Sequence, residues 1–252
     1  MISTAPAKPV PDKLKHDAIV EALLEVRFDT STIPEVLLGR LADNPSWRGF
    51  QQRRLPISEI PAPIRQSDRN LRFTPWFELA DPERNRLVRI GEHVLSYHQL
   101  APYVGWPVFS EELRKTVDAL FDKAETVNVK RLGLRYINAL RPDVHGIKGI
   151  LDLDLEVVVA GESVPANINV NFTTEVHTNT SCTVRIATKE FVEGNLPETT
   201  SLVIDVDVFT NPSLRMKNSD EVKAWVGVAH SREKEQFFRL LTVERIAALT
   251  EK

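Results

Sequence analysis

Two segments of this chain, more than 100 residues apart, alternate apolar and charged side chains with a period of two. In Ile19-Val-Glu-Ala-Leu-Leu-Glu-Val-Arg-Phe28, Glu21, Glu25 and Arg27 fall on one face. Val20, Ala22, Leu24, Val26 and Phe28 fall on the other. In Lys130-Arg-Leu-Gly-Leu-Arg-Tyr-Ile-Asn138, Arg131, Gly133 and Arg135 share a face opposite Leu132, Leu134 and Tyr136. Period-two alternation marks strands with one buried face. Residues four apart on one face of a strand are separated by roughly 13 Å. Glu21/Glu25 and Arg131/Arg135 therefore have equal spacing and opposite sign, and neighbouring strands would pair them.

The same pattern reading predicts the other elements. Thr32-Ile-Pro-Glu35 has the form of a capping box, opening a helix with Leu37, Leu38 and Leu41 on one stripe. A short strand is expected within Phe50–Ile57, and paired strands at Asn70–Leu79 and Arg86–His98 around the turn 81–85. Trp106-Pro107 leads into a helix for which Ser110 is the expected cap, with Leu113, Val117, Leu120 and Phe121 on one face. Leu151–Val159, Ala166–Val176, Ser181–Phe191 and Ser201–Phe209 read as strands of an antiparallel meander. A long helix is predicted from Ser219, then a short one at Val243–Leu249. The fold class expected is α+β: two strand-rich halves with antiparallel sheets, each packed by helices. The expected division is a flexible Pro-rich arm at 1–15, an N-terminal half at 16–141 and a C-terminal meander with its long helix at 150–252. The halves are expected to share one continuous sheet.

Composition narrows the function classes. The chain has 252 residues, 42% hydrophobic and 27% charged, with net charge −3. That is ordinary for a globular protein and gives no basic excess for nucleic acid or an anionic membrane. Apolar runs are far too short for a membrane span, and the first residues lack the apolar stretch of a secretory signal, so a cytoplasmic location is expected. A single cysteine, Cys182, excludes an intrachain disulfide and a Cys-rich zinc site.

Three stretches of the chain also resemble a known family. Ile19–Phe28, the helix start at Trp106-Pro107, and Leu132-Gly-Leu-Arg-Tyr-Ile-Asn138 are similar to the marks of a sporadically distributed prokaryotic family of comparable length. In the second half the resemblance rests on Leu202–Phe209, His230 and Phe237-Phe238. It brings no established activity. It implies a setting: patchy distribution is typical of mobile genes, including defence and toxin–antitoxin loci.

Candidate chemistry is sparse. The charged faces suggest either a ligand floor of Glu21, Glu25, Arg27, Arg131 and Arg135 that grips a carboxylate or phosphate, or ion pairs that fix strand register. Asp205 and Asp207 share a strand face, as do Asp152, Asp154 and Glu156; a solvated sheet face is the expected reading, and a hard-cation site the alternative. The six histidines make no His-x-x-x-His or His-Glu-x-x-His pattern, so no metal is expected. No nucleophile elbow or glycine-rich phosphate loop occurs, and no cofactor is expected. Cys182 reads as a core residue, with His177 as a remote nucleophile partner. Trp76, Phe77, Tyr103 and Trp106 cluster around loops and form the candidate partner surface. The leading expectation is a non-enzymatic protein-binding module, of antitoxin, immunity or defence-accessory type. The alternative is a binding protein or enzyme for an anionic small molecule. Its partner would be a protein, from a neighbouring gene, or a second copy joined through strand edges.

Overall fold

The computed structural model describes residues 8–164 and 166–250. Eleven strands are present among them, β1 (Ile19–Asp29), β2 (Gln51–Arg54), β3 (Phe77–Asp81), β4 (Arg86–Ile90), β5 (Val94–Leu100), β6 (Asn128–Leu140), β7 (Val158–Val159), β8 (Glu162–Ser163), β9 (Asn169–His177), β10 (Thr180–Thr188) and β11 (Leu202–Thr210). The main helices are α1 (Pro34–Ala42), α2 (Ala62–Ser67), α3 (Trp106–Lys123), α4 (Pro142–His145), α5 (Ser219–Arg239) and α6 (Val243–Thr250).

Nine strands form one antiparallel sheet in the order β2-β3-β4-β5-β1-β6-β11-β10-β9. The fold is α+β. The sheet runs unbroken across residues 141–150, because β6 from the first half pairs with β11 from the second. Its centre is the β1–β6 pair, which the sequence pattern placed on adjacent strands.

The sheet has two unlike faces. Leu24, Val26 and Phe28 of β1, Leu132, Leu134 and Tyr136 of β6, and Ile204, Val206 and Val208 of β11 are all buried on one side. There α5 packs over β6, β10 and β11, and α3 packs over β5 and beside α5 and α1. A single apolar face covered by helices is the cheapest way to remove these side chains from water. The other face carries the charges. The outer strands β2 and β9 are mostly exposed and polar, which suits unpaired sheet edges.

Several expected elements differ. Thr32 does not cap α1; its hydroxyl accepts from the backbone of Glu125 at 2.8 Å, tying the start of α1 to the end of α3. Ile33 occupies the cap position, with no side-chain bond. The α3 helix begins a turn before Ser110, after Gly105 at φ 84°, and Ser110 instead donates to Pro107 within the helix. The strand expected at Arg86–His98 folds back on itself: Ile90 faces Leu95 across a tight hairpin. Gly91 makes this possible, since a Cβ there would lie 2.9 Å from the Thr74 carbonyl. Residues Asn70 to Trp76 are not strand, and Leu151–Val159 contributes only the end pair β7. Acidic Asp152 is used by Lys148 and Arg245 rather than by a ladder.

Of the expected arm at 1–15, residues 1–7 lie outside the described residues. Residues 8–15 lie on the helical layer: Lys8 donates to the carbonyls of Arg239 and Leu241, and the Lys15 amide to that of Leu249. Leu14 is buried there.

Leu24, fully enclosed in the central strand, sets a test of the core. Leu24→Ala is expected to cost about 2–5 kcal/mol in urea unfolding. Leu151→Ala, at a side chain 77% exposed, should stay within about 0.5 kcal/mol of wild type.

Candidate functional site

The charged face of the sheet forms a continuous ladder across its central strands. Glu25 sits opposite Gly133, and Arg27 opposite Arg131. Two like charges facing each other are unfavourable, and Glu25 resolves this by accepting from both arginines, at 2.7 Å from Arg27 Nε and 3.1 Å from Arg131 Nη1. Arg131 also donates to Asp207 Oδ2 at 2.8 Å, and its guanidinium lies 4.8 Å from the centre of the Phe209 ring. Gly133 leaves the space this needs: a Cβ would come within 2.6 Å of Arg131 Nη1. Arg131 thus clamps β1, β6 and β11 together.

Arg135 does not pair with Glu21. It donates twice to Asp205, from Nε at 2.7 Å and from Nη2 at 2.5 Å. This bidentate bond, with the nearby charges of Asp205, Asp207 and Glu21, holds the Arg135 guanidinium more firmly protonated than usual. Glu21 turns instead to His98 Nδ1 at 2.7 Å, and His98 Nε2 lies 2.8 Å from Ser96 Oγ. Burial pushes the Glu21 carboxyl up, but the His98 bond and the charges of His98, Arg89 and Arg135 outweigh it and hold it below the ordinary range. Asp207 goes the other way: burial raises it despite Arg131.

The expected two-by-two pairing of Glu21/Glu25 with Arg131/Arg135 is therefore made only once, as Glu25–Arg131. The remaining partners come from β11 and β5, strands whose adjacency no local spacing reveals. Asp205 and Asp207 serve as counter-ions to arginine. Among the described residues no group of three or more His, Cys, Asp or Glu side chains is placed to hold a metal ion.

A groove of about 990 Å³ opens along this face. Its floor draws on six adjacent strands, with Arg89 on β4, Glu21 on β1, Arg135 on β6, Asp205 on β11 and Arg185 on β10 among the contributors. Its wall is the loop Phe191–Pro197. Arg185 fastens that wall, donating to the Phe191 carbonyl at 2.7 Å and to Asn169 Oδ1 at 2.9 Å. Val20 also lines the groove rather than joining the apolar row, because a bulge between Ile19 and Glu21 displaces it. The loop wall and Arg185 were missed by pattern reading; the only sequence signal was an arginine on a strand face.

The four loop aromatics fall into two groups. Trp76 is buried, with Arg54 and Arg65 over its ring, and Phe77 meets it edge to face. Tyr103 and Trp106 lie on the helical side, against Phe109. Tyr103 reaches the Tyr136 hydroxyl at 3.3 Å, and Trp106 stacks on His230 at 3.7 Å. They line a second cavity there. Cys182 is fully enclosed, and burial pushes its thiol up to about 12, which leaves it inert.

Among the described residues no helix is long and apolar enough to cross a membrane. In comparisons with known proteins, no family model matches the chain and no curated protein sequence matches it.

The Glu21–His98 bond sets a pH prediction. A carboxyl held low in the folded state stabilises the fold above its unfolded value, ordinarily 4.5, and loses that contribution as pH falls through the folded value. Glu21→Gln should cost about 1 kcal/mol at pH 7. The gap between wild type and variant should close below pH 4.5 in a series of urea unfolding curves.

Proposed function

We propose that the chain is a non-enzymatic protein-binding module whose charged groove receives an extended segment of a partner protein. The observation that carries this reading is the balance of charge in the groove. Arg89, Arg135 and Arg185 are matched by Glu21, Glu193 and Asp205 along its lining. Arg135 and Arg131 are already saturated by carboxylates. A site for a small anion would leave arginine donors free to converge on one point. Here the charges alternate in sign across six strands, about 24 Å at the usual strand spacing. A floor of that length and pattern matches a polypeptide bearing both signs, and electrostatic complementarity of this kind chiefly sets specificity and register.

The exposed Phe191 on the groove wall supplies an apolar contact at one end. The family resemblance supports a setting in which such a module acts on the product of a neighbouring gene, as antitoxin, immunity or defence-accessory proteins do.

The test is co-expression with the neighbouring genes, followed by affinity capture, cross-linking and sizing. A stoichiometric partner cross-linked to the loop Phe191–Pro197 or to Arg185 is expected. Arg185→Glu and Glu193→Arg lie outside the clamped ladder and should each weaken retention about tenfold, or 1.4 kcal/mol. Retention at wild-type strength in both variants would overturn the reading.

A further inference from the structure

On the helix-covered side, apart from the groove, a cavity of about 560 Å³ lies between the segment around Asp12–Ile19, the start of α3, and α5. That volume suits a small ligand. Its lining joins an aromatic wall to a single deep carboxyl. Tyr103, Trp106 and Tyr136 form the wall, and Glu233 reaches the cavity from α5. Glu233 is 5% exposed. Among the described residues its carboxyl has no hydrogen-bond partner, and apart from burial only the charge of Lys234 acts on it. Buried carboxyls are ordinarily paired.

Among the described residues no cation forms an ion pair with Glu233. Lys234, the next residue, is directed to Asp12, with Nζ 3.3 Å from its carbonyl. His230, one turn back, stacks on Trp106, and burial pushes its imidazole down to about 4, so it is neutral at pH 7. From the other elements come Asp12, Lys13 and Asp17 on the N-terminal segment, Tyr103 before α3, and Tyr136 and Asn138 on β6. Cys182 on β10 senses the Glu233 charge and is itself neutral. Burial pushes the empty Glu233 carboxyl up to about 8, a proton held for want of a counter-charge.

We propose that this cavity is a binding site for a small organic ammonium, with Glu233 as its counter-ion and Tyr103, Trp106 and Tyr136 as the aromatic wall that receives its apolar body. Aromatic faces attract cations once water is removed, and a carboxylate at the base of the pocket completes the pairing. Tyr103 and Tyr136 are linked through their hydroxyls at 3.3 Å, and Tyr136 Oη lies 3.3 Å from His230 Nδ1, so the polar end of the wall is held in place. Binding the ammonium ionises Glu233, so below pH 8 each ligand bound displaces its proton to solvent.

The experiment is titration calorimetry of the full chain with three probes of one shape: phenethylammonium, 2-phenylethanol and 3-phenylpropanoate. Phenethylammonium is expected to bind at least about tenfold more tightly than either of the others. In two buffers of different ionisation enthalpy at pH 7, its binding should release about one proton. Glu233→Gln, which keeps the neutral shape of the empty site, should fold normally by circular dichroism and lose both the preference and the proton release. Leu151→Ala, at an exposed side chain outside the cavity, serves as a second folded variant and should retain the preference. Equal binding of all three probes, no binding of the ammonium, or an undiminished preference in the folded Glu233→Gln protein would overturn the proposal.

Discussion

Everything in this molecule is arranged around the pairing of β1 with β6. These two strands carry the largest block of the core on one face and the arginine–carboxylate ladder on the other. A one-residue slip between them would turn Leu24, Val26 and Phe28 into the groove and Glu21 and Glu25 into the core. The core alone forbids that slip. A slip of two residues would preserve the apolar faces, and there the charges decide. Only the observed register sets Glu25 opposite Gly133, where the Arg131 guanidinium reaches Glu25 and Asp207 together. The ladder therefore specifies a sheet that burial by itself leaves ambiguous.

How much of this could be read from the residues follows from the range of each interaction. The faces of β1, β6, β10 and β11 were legible, because period-two alternation is local. The helical stripes of α3 and α5 were legible for the same reason. Partners were not. Glu21 matches Arg135 in spacing, yet takes His98: both flank Leu23 at the same height, and Arg135 is held by Asp205. Asp205 and Asp207 read as a solvated face, with a cation site as the alternative, because nothing in their own strand shows the arginines opposite. The Gly91 hairpin was hidden by an alternation that continues through the turn, although the chain reverses there. Thr32 shows a motif outcompeted: its hydroxyl serves α3's end instead of its own helix.

The two cavities differ because the two faces differ. On the charged face, each carboxylate of the ladder finds a basic partner on a neighbouring residue or strand. On the covered face, helices and the N-terminal segment exclude water, so a carboxyl such as Glu233 is held neutral and surrounded by rings. The groove suits a broad, polar, chain-like occupant. The inner cavity suits a compact one. Tyr136, at the middle of β6, touches the inner site through its ring and hydroxyl, while Arg135 beside it floors the groove. Consecutive residues of one strand thus address two different chemistries.

The strand order also governs how the chain can be assembled during synthesis. β1 emerges before both of its neighbours, β5 and β6. Its partner residues in β6 lie over 100 positions later, and β6 in turn waits for β11. Until residue 140 or so has left the ribosome, one edge of β1 stays unpaired with its apolar face ready to stick. Loop closure over such spans is slow compared with local helix or hairpin formation. This is a topology of late closure, in which the nascent chain carries an open seam from β1 until β6, and then β11, has emerged.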